Sequence, residues 1–163
     1  MSMTGALATM RATIDTPGDL FLLARMTMWG AALRVLKHAV ALPALVRMMR
    51  LSASRQPPAN VSRECEKVAT LARWACRAPL RVRHGGCLER GLVAYRYLSR
   101  FNVDACLMVG VRPEDRSGSR GHAWIEVGGR LIGEAQESIE PFTCIFAFDA
   151  NGQLLEAGAV AAR

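Results

Sequence analysis

Three residues of this chain have types and positions suited to nucleophilic catalysis by a thiol, and Cys87 is the first. It follows Gly85-Gly86 and opens a segment with helical periodicity, so it lies at the predicted N-terminus of a helix. Unpaired N–H groups and the positive end of the helix dipole stabilise a thiolate there, and the thiolate is the reactive form of cysteine. Arg83 and Arg90 favour the thiolate in the same way. A cysteine that only caps the helix or packs in the core is the alternative interpretation.

His122 is the candidate base. It opens a predicted strand directly after a polar loop, residues 112–121. A thiolate needs a neighbouring imidazole, which forms an ion pair with it and later protonates the leaving amine. Histidines at strand ends are also common without a function, so His122 gains weight only together with Cys87.

Glu134 is the candidate acid that orients the imidazole. A three-residue turn at 127–129 would place Glu134 opposite His122, whereas a two-residue turn at Gly128-Gly129 would point Glu134 away. We predict the three-residue turn, because its cross-strand pairs are chemically matched. A solvated surface charge is the alternative interpretation of Glu134. Two further carboxylates could take the role, Glu137 and Glu140.

Other catalytic chemistry has less support in the sequence. His84 and Cys87 are three residues apart, but no Cys-x-x-Cys or second pair completes a tetrahedral zinc set. There is no Gly-x-Ser-x-Gly elbow for a serine nucleophile and no Gly-x-x-x-x-Gly-Lys loop for phosphate. The sequence therefore predicts neither a metal nor a cofactor.

The charge balance bears on partners. The formal net charge of the 163 residues is +7, which is compatible with nucleic acid, an anionic membrane surface or an acidic peptide. The charges are spread along the chain, and no nucleic-acid motif accompanies them. We interpret the charge as favouring solubility and an acidic peptide partner, with a nucleic-acid binder as a less supported alternative.

Cysteine use and hydropathy predict a cytoplasmic protein without a transmembrane segment. The five cysteines are an odd number, and no signal peptide is evident. The most apolar region, 20–49, is interrupted by Arg25, Arg34, Lys37 and Arg47. We predict an amphipathic helical pair packed on the domain, with a membrane-surface helix as the alternative.

The order of elements predicts an α+β fold. Residues 1–17 are expected to be poorly ordered, and helices are expected at 18–40, after Pro43, from Asn60 and from Cys87. Strands are expected at 103–111, 122–127, 130–134 and 142–148, with 153–156 pairing back after Asn151-Gly152. Helices followed by an antiparallel sheet are typical of this class. We predict a helical extension and linker at 1–57 and a catalytic domain at 58–163.

Three blocks of sequence carry a resemblance to a known family: Cys87-Leu-x-Arg-Gly-Leu-x-x-Tyr, Val109-Gly110-Val111, and Gly121-His-Ala-Trp-Ile-Glu-Val-x-Gly-Arg130. Together they resemble the transglutaminase-like peptidases of lasso-peptide biosynthesis, over roughly residues 60 to 148. The resemblance implies a transglutaminase/papain-like domain that removes the leader from a ribosomally made precursor peptide by a Cys-His-Asp mechanism. Cys87 matches the nucleophile and His122 the base. Glu134 falls where the family has its carboxylate, with glutamate in place of aspartate.

The resemblance also implies partners. In many such systems a separate small winged-helix protein captures the leader, and this chain is expected to be the stand-alone peptidase half. The precursor peptide, that leader-binding protein and the lasso cyclase are the expected partners, and residues 18–52 are a candidate docking surface. Two alternatives stay open: a transglutaminase-like acyltransferase or amidase with the same triad, and a non-catalytic peptide-binding scaffold.

Overall fold

The computed structural model describes residues 14, 16–52, 56, 58–77, 86–112 and 121–155. Several expectations fall outside these residues. They are the disorder predicted for nearly all of 1–17, most of the linker at 52–58, most of the polar loop at 112–121, and the positions of Arg83, His84 and Gly85.

Five α-helices are described, and four of them were predicted. Helix α1 spans Pro17–Ala39, α2 spans Leu42–Met49, α3 spans Val61–Cys76 and α4 spans Cys87–Leu98. The N-terminus of α3 is capped by the side chain of Asn60, which accepts a hydrogen bond from the Arg63 N–H at 3.0 Å. A 3₁₀ turn, Ser99–Phe101, follows α4. The short helix α5, Gln136–Ile139, was not predicted.

The described strands form one antiparallel sheet. Strands β1 (Ala105–Val111), β2 (Gly121–Val127), β3 (Arg130–Ile132) and β4 (Thr143–Phe148) lie in the order β3-β2-β1-β4. Of the predicted return at 153–156, the described residues as far as 155 form one isolated bridge, between Phe148 and Leu154. Helices and an antiparallel sheet together confirm the α+β prediction.

The register predicted for the β2–β3 hairpin was wrong. Ile125 pairs with Ile132 and Val127 pairs with Arg130, so the turn consists of Gly128 and Gly129 alone. Both glycines have positive φ angles, 55° and 75°. A two-residue turn of this kind follows the right-handed twist of the strands, and that geometric match outweighs the side-chain pairing on which the prediction relied.

The main core lies between the helices and one face of the sheet. Ala105 and Leu107 of β1 belong to this cluster, whereas the alternating Cys106 and Met108 belong to a smaller cluster on the opposite face. The main cluster also contains buried side chains of the first two helices: Met26, Leu33, Leu45, Val46 and Met49. Helices α1 and α2 therefore share a core with α3 and α4, and the proposed boundary near residue 57 stays a prediction.

Helix α1 has one buried and one exposed face. The buried face supports the predicted packing, and Lys37 Nζ reaches the buried Glu89 of α4 at 2.8 Å. Large apolar side chains remain exposed on the other face: Leu20, Phe21, Met28 and Val35. Within the described ranges, no helix combines the length and apolar character needed to cross a membrane.

Candidate active site

Cys87 is the first residue of α4, as the sequence predicts. Gly86 precedes it with a φ of 138°, a conformation that residues with a Cβ rarely adopt. The first helical hydrogen bond runs from the Arg90 N–H to the Gly86 carbonyl at 2.8 Å. Glycine at this point thus lets the chain enter the helix abruptly and places the thiol at the positive end of the helix dipole.

The surroundings of Cys87 favour its thiolate. Its Sγ hydrogen-bonds to the His122 imidazole. The thiol also lies 3.8 Å from the Gly121 carbonyl oxygen, to which its neutral form can donate. Burial by itself raises the pKa of the thiol, but the hydrogen bond and charge of His122 lower it. The backbone N–H groups of Ala123 and Leu88 add to this, and the net pKa of Cys87 falls below its ordinary value.

His122 lies between the thiol and a carboxylate. Its Nε2 lies 2.6 Å from Oε2 of Glu134, and the ring also hydrogen-bonds to Cys87. The ring also packs against Phe142, with centroids 5.0 Å apart, and stacks on Trp124 at 6.1 Å. Hydrogen bonds to Cys87 and then to Glu134 raise the pKa of the imidazole to about 9, against the opposing effect of burial.

Glu134 is the carboxylate that contacts His122. Its other oxygen, Oε1, accepts a hydrogen bond from the Arg90 guanidinium. Burial by itself raises the pKa of Glu134, but the His122 hydrogen bond and the Arg90 charge outweigh burial and lower the pKa below its usual range. The two alternative carboxylates, Glu137 and Glu140, are both exposed.

Gly133 brings Glu134 to the imidazole. It follows β3 with a φ of 73°, so the chain leaves the strand direction at this point. Helix α3 fixes its backbone: Arg73 donates to the Gly133 carbonyl, and the Gly133 N–H donates to Oε1 of Glu66 at 3.3 Å. Ala69 lies so close that a Cβ at Gly133 would stand 2.6 Å from the Ala69 Cβ. Only glycine fits both the conformation and the space.

The arrangement has the parts of an acyl-transfer site. A thiol of lowered pKa adjoins an imidazole of raised pKa, and the Glu134 carboxylate binds Nε2 of that imidazole. The first N–H groups of α4 have no partner within the helix and lie next to Cys87 in the chain, so they are candidates for stabilising an oxyanion. Among the described residues, no group of three or more His, Cys, Asp or Glu side chains could hold a metal ion.

Sequence reasoning missed the ion pair between Arg90 and Glu134. It assigned Arg90 to the thiolate, whereas the guanidinium binds the carboxylate instead. The spacing held a usable signal, since Arg90 lies three residues after Cys87 and therefore on the same face of α4. Nothing in the sequence pattern indicated the contact of Arg73 with Gly133, because that contact joins segments 60 residues apart.

Comparison with protein families confirms the class of protein that this fold and site define. Residues 28–147 match the transglutaminase-like superfamily. Neither the comparison with curated proteins nor that with solved structures finds a match. The match spans well over half of the 163 residues, and the chain belongs to the transglutaminase-like superfamily.

Membership in the superfamily supports a general kind of activity. The superfamily has a papain-like fold used by cysteine peptidases and acyltransferases, and its members are typically catalytic. The match begins at residue 28 and therefore includes part of α1 as well as α2.

Proposed function

We propose that this protein is a cysteine peptidase that removes the leader segment from a ribosomally synthesised lasso-peptide precursor. The observation that carries the proposal is the chain of contacts from Cys87 through His122 to Glu134. A non-catalytic binding scaffold would not need a thiol of lowered pKa hydrogen-bonded to an imidazole of raised pKa.

In the proposed reaction, these three residues carry out peptide hydrolysis. The Cys87 thiolate attacks the carbonyl carbon at the end of the leader, and the oxyanion formed lies at the N-terminus of α4. The tetrahedral intermediate collapses to a thioester as the C–N bond breaks and His122 gives its proton to the leaving amine. Water then attacks the thioester, His122 takes a proton from it, and the C–S bond breaks. The leader leaves as a carboxylic acid.

The substrate class rests on the sequence blocks around Cys87 and His122, which resemble those of lasso-peptide leader peptidases. The net charge of +7 suits an acidic peptide substrate. We propose that a separate small winged-helix protein presents the leader and that the lasso cyclase receives the product. The described cysteines are free, which suits a reducing cytoplasm.

The test is cleavage of a candidate precursor by the purified protein together with its leader-binding partner, read by mass spectrometry. We expect one cut at the junction of leader and core, lost in Cys87→Ala. Cys144→Ala is the matched control, because burial raises the pKa of that thiol and its Sγ contacts the Phe146 carbonyl oxygen. Equal cleavage by wild type and Cys87→Ala would remove Cys87 from the mechanism.

The same experiment separates hydrolysis from transfer. An acyltransferase with this triad would form the same thioester, and only the acceptor would differ. Adding a primary amine to the reaction therefore distinguishes the two: hydrolysis leaves the mass of the free acid, and transfer leaves the mass of the amide. An amide as the main product at low amine concentration would favour the acyltransferase.

A further inference from the structure

We propose that Arg90 is a positioning residue of this site, which holds the Glu134 carboxylate where it can bind His122. The proposal rests on the triad proposed above but not on the identity of the substrate. Arg90 touches neither Cys87 nor His122 in a described hydrogen bond, and it acts through Glu134.

The position of Arg90 on α4 gives it this role. Cys87 and Arg90 are three residues apart on one rigid helix, so both project from the same face. The helix that carries the nucleophile therefore also holds the acid. A side-chain contact between α4 and the segment after β3 fixes the distance from the thiol to the carboxylate, and His122 lies between them.

Glutamate needs such a tie more than aspartate does, because it has one more rotatable bond between backbone and carboxylate. The contacts from Arg73 and Glu66 fix the backbone of Gly133 but do not hold the Glu134 side chain. Ser138 Oγ lies 3.5 Å from Oε2, at the limit of a hydrogen bond. Arg90 binds the other oxygen, and a guanidinium holds a carboxylate with defined geometry.

Among the described residues, the charged groups around Glu134 come from β2, α4, α3 and the end of β1. His122 of β2 and Arg90 of α4 contact the carboxylate itself. Arg73 and Glu66 of α3 bind the neighbouring backbone and carry opposite charges. Arg112, at the end of β1, lies over the Phe142 ring that packs on His122. The contacts to the carboxylate thus come from His122 and Arg90, together with the Ser138 hydroxyl.

Positioning and simple charge predict opposite shifts of the His122 pKa. A nearby cation disfavours an imidazolium, so if Arg90 acted by charge alone, its removal would raise the pKa of His122. If Arg90 holds Glu134 in place, its removal loosens the carboxylate from the imidazole and lowers that pKa. The direction of the shift therefore decides between the two.

The experiment measures the His122 pKa by NMR titration and the pH dependence of Cys87 alkylation by iodoacetamide, without any peptide substrate. In Arg90→Met we expect the His122 pKa to fall by about 1–2 units and alkylation at pH 7 to slow by roughly tenfold. Arg90→Lys should show a smaller fall, because it keeps the charge but loses the planar fork. Glu134→Gln should match Arg90→Met, and the double variant should add nothing further.

Arg34→Met is the matched control. Like Arg90, Arg34 is a partly buried arginine whose charge acts on Cys76. Unlike Arg90, it lies on α1, and it donates to the Cys76 carbonyl oxygen of α3. It should leave both titrations unchanged. An unchanged or raised His122 pKa in Arg90→Met would overturn the proposal. If the methionine variant fails to fold, an unchanged or raised His122 pKa in Arg90→Lys would overturn it equally. These readouts stand whether or not the protein cleaves a precursor.

Discussion

His122 and Glu134 meet at 2.6 Å although the β2–β3 pairing, if it continued to residue 134, would place them on different faces of the sheet. Continued past Ile132, the observed register would place residue 134 opposite Ala123, on the face away from His122. The ladder ends at Ile132, and Gly133 turns the chain with its φ of 73°. The contact thus depends on one left-handed residue rather than on the ladder.

Gly133→Ala should damage both stability and activity. Its φ of 73° strains any residue with a Cβ, and that Cβ would stand 2.6 Å from the Cβ of Ala69. Gly128→Ala is the matched control, with a φ of 55° and no atom within 4 Å of the added Cβ. We expect Gly128→Ala to cost about 1–2 kcal/mol in urea unfolding with activity retained. Gly133→Ala should cost more and lose most of the activity.

Replacing Ala69 tests the reason for that difference. Ala69→Gly removes the atom that the new Cβ would meet, so the double variant Ala69→Gly/Gly133→Ala should recover part of the stability lost in Gly133→Ala. If the double variant instead lost the sum of the stabilities lost in the two single variants, the strain in Gly133→Ala would come from the backbone angle alone.

Glu134→Gln should lower kcat/KM by about 10²- to 10⁴-fold in the cleavage assay. The amide keeps the size of the side chain but loses the charge that stabilises the His122 imidazolium. Glu137→Gln serves as the control, since that carboxylate is exposed on α5. Wild-type kinetics in Glu134→Gln would mean that the acid has no part in turnover.

The pH profile of cleavage should be bell-shaped. The active pair is a Cys87 thiolate with a His122 imidazolium, so activity rises as the thiol loses its proton below its ordinary pKa. Activity then falls as the imidazolium loses its proton near its raised pKa of about 9. Alkylation by iodoacetamide requires only the thiolate and should persist above that pH. Cleavage that kept rising past pH 10 would exclude His122 as the acid.

Lys37→Met should destabilise the protein because it leaves the buried Glu89 carboxylate without its partner. We expect the free energy of unfolding, measured with a chemical denaturant, to fall by about 3 kcal/mol. This value is at the low end for breaking a buried ion pair, because the Lys37 side chain is 25% exposed. Lys37→Met/Glu89→Met should regain much of that loss, because neither variant side chain carries a charge. A double variant less stable than Lys37→Met would show that Glu89 has another stabilising contact.

The family match and the site support some parts of the sequence-based interpretation more strongly than others. The α+β fold is confirmed, and the transglutaminase-like class agrees with the resemblance drawn from the blocks at Cys87 and His122. The assignment to lasso-peptide maturation stays a proposal. Glu134 was placed beside His122 by an argument whose register was wrong, and the structure reaches the same contact by a different route.

The sequence by itself determined the local elements. Apolar spacing, the Asn60 cap and Gly86 fix where α3 and α4 begin, because these signals act within a few residues of each other. Cys87 at a helix start and His122 at a strand start follow from those elements. Only the tertiary structure decided how the acid is held: Ala69, Arg73 and Arg90 reach residues 133–134 from helices 44 to 64 positions away. Such contacts depend on how the helices pack on the sheet, and the periodicity of the sequence does not predict that packing.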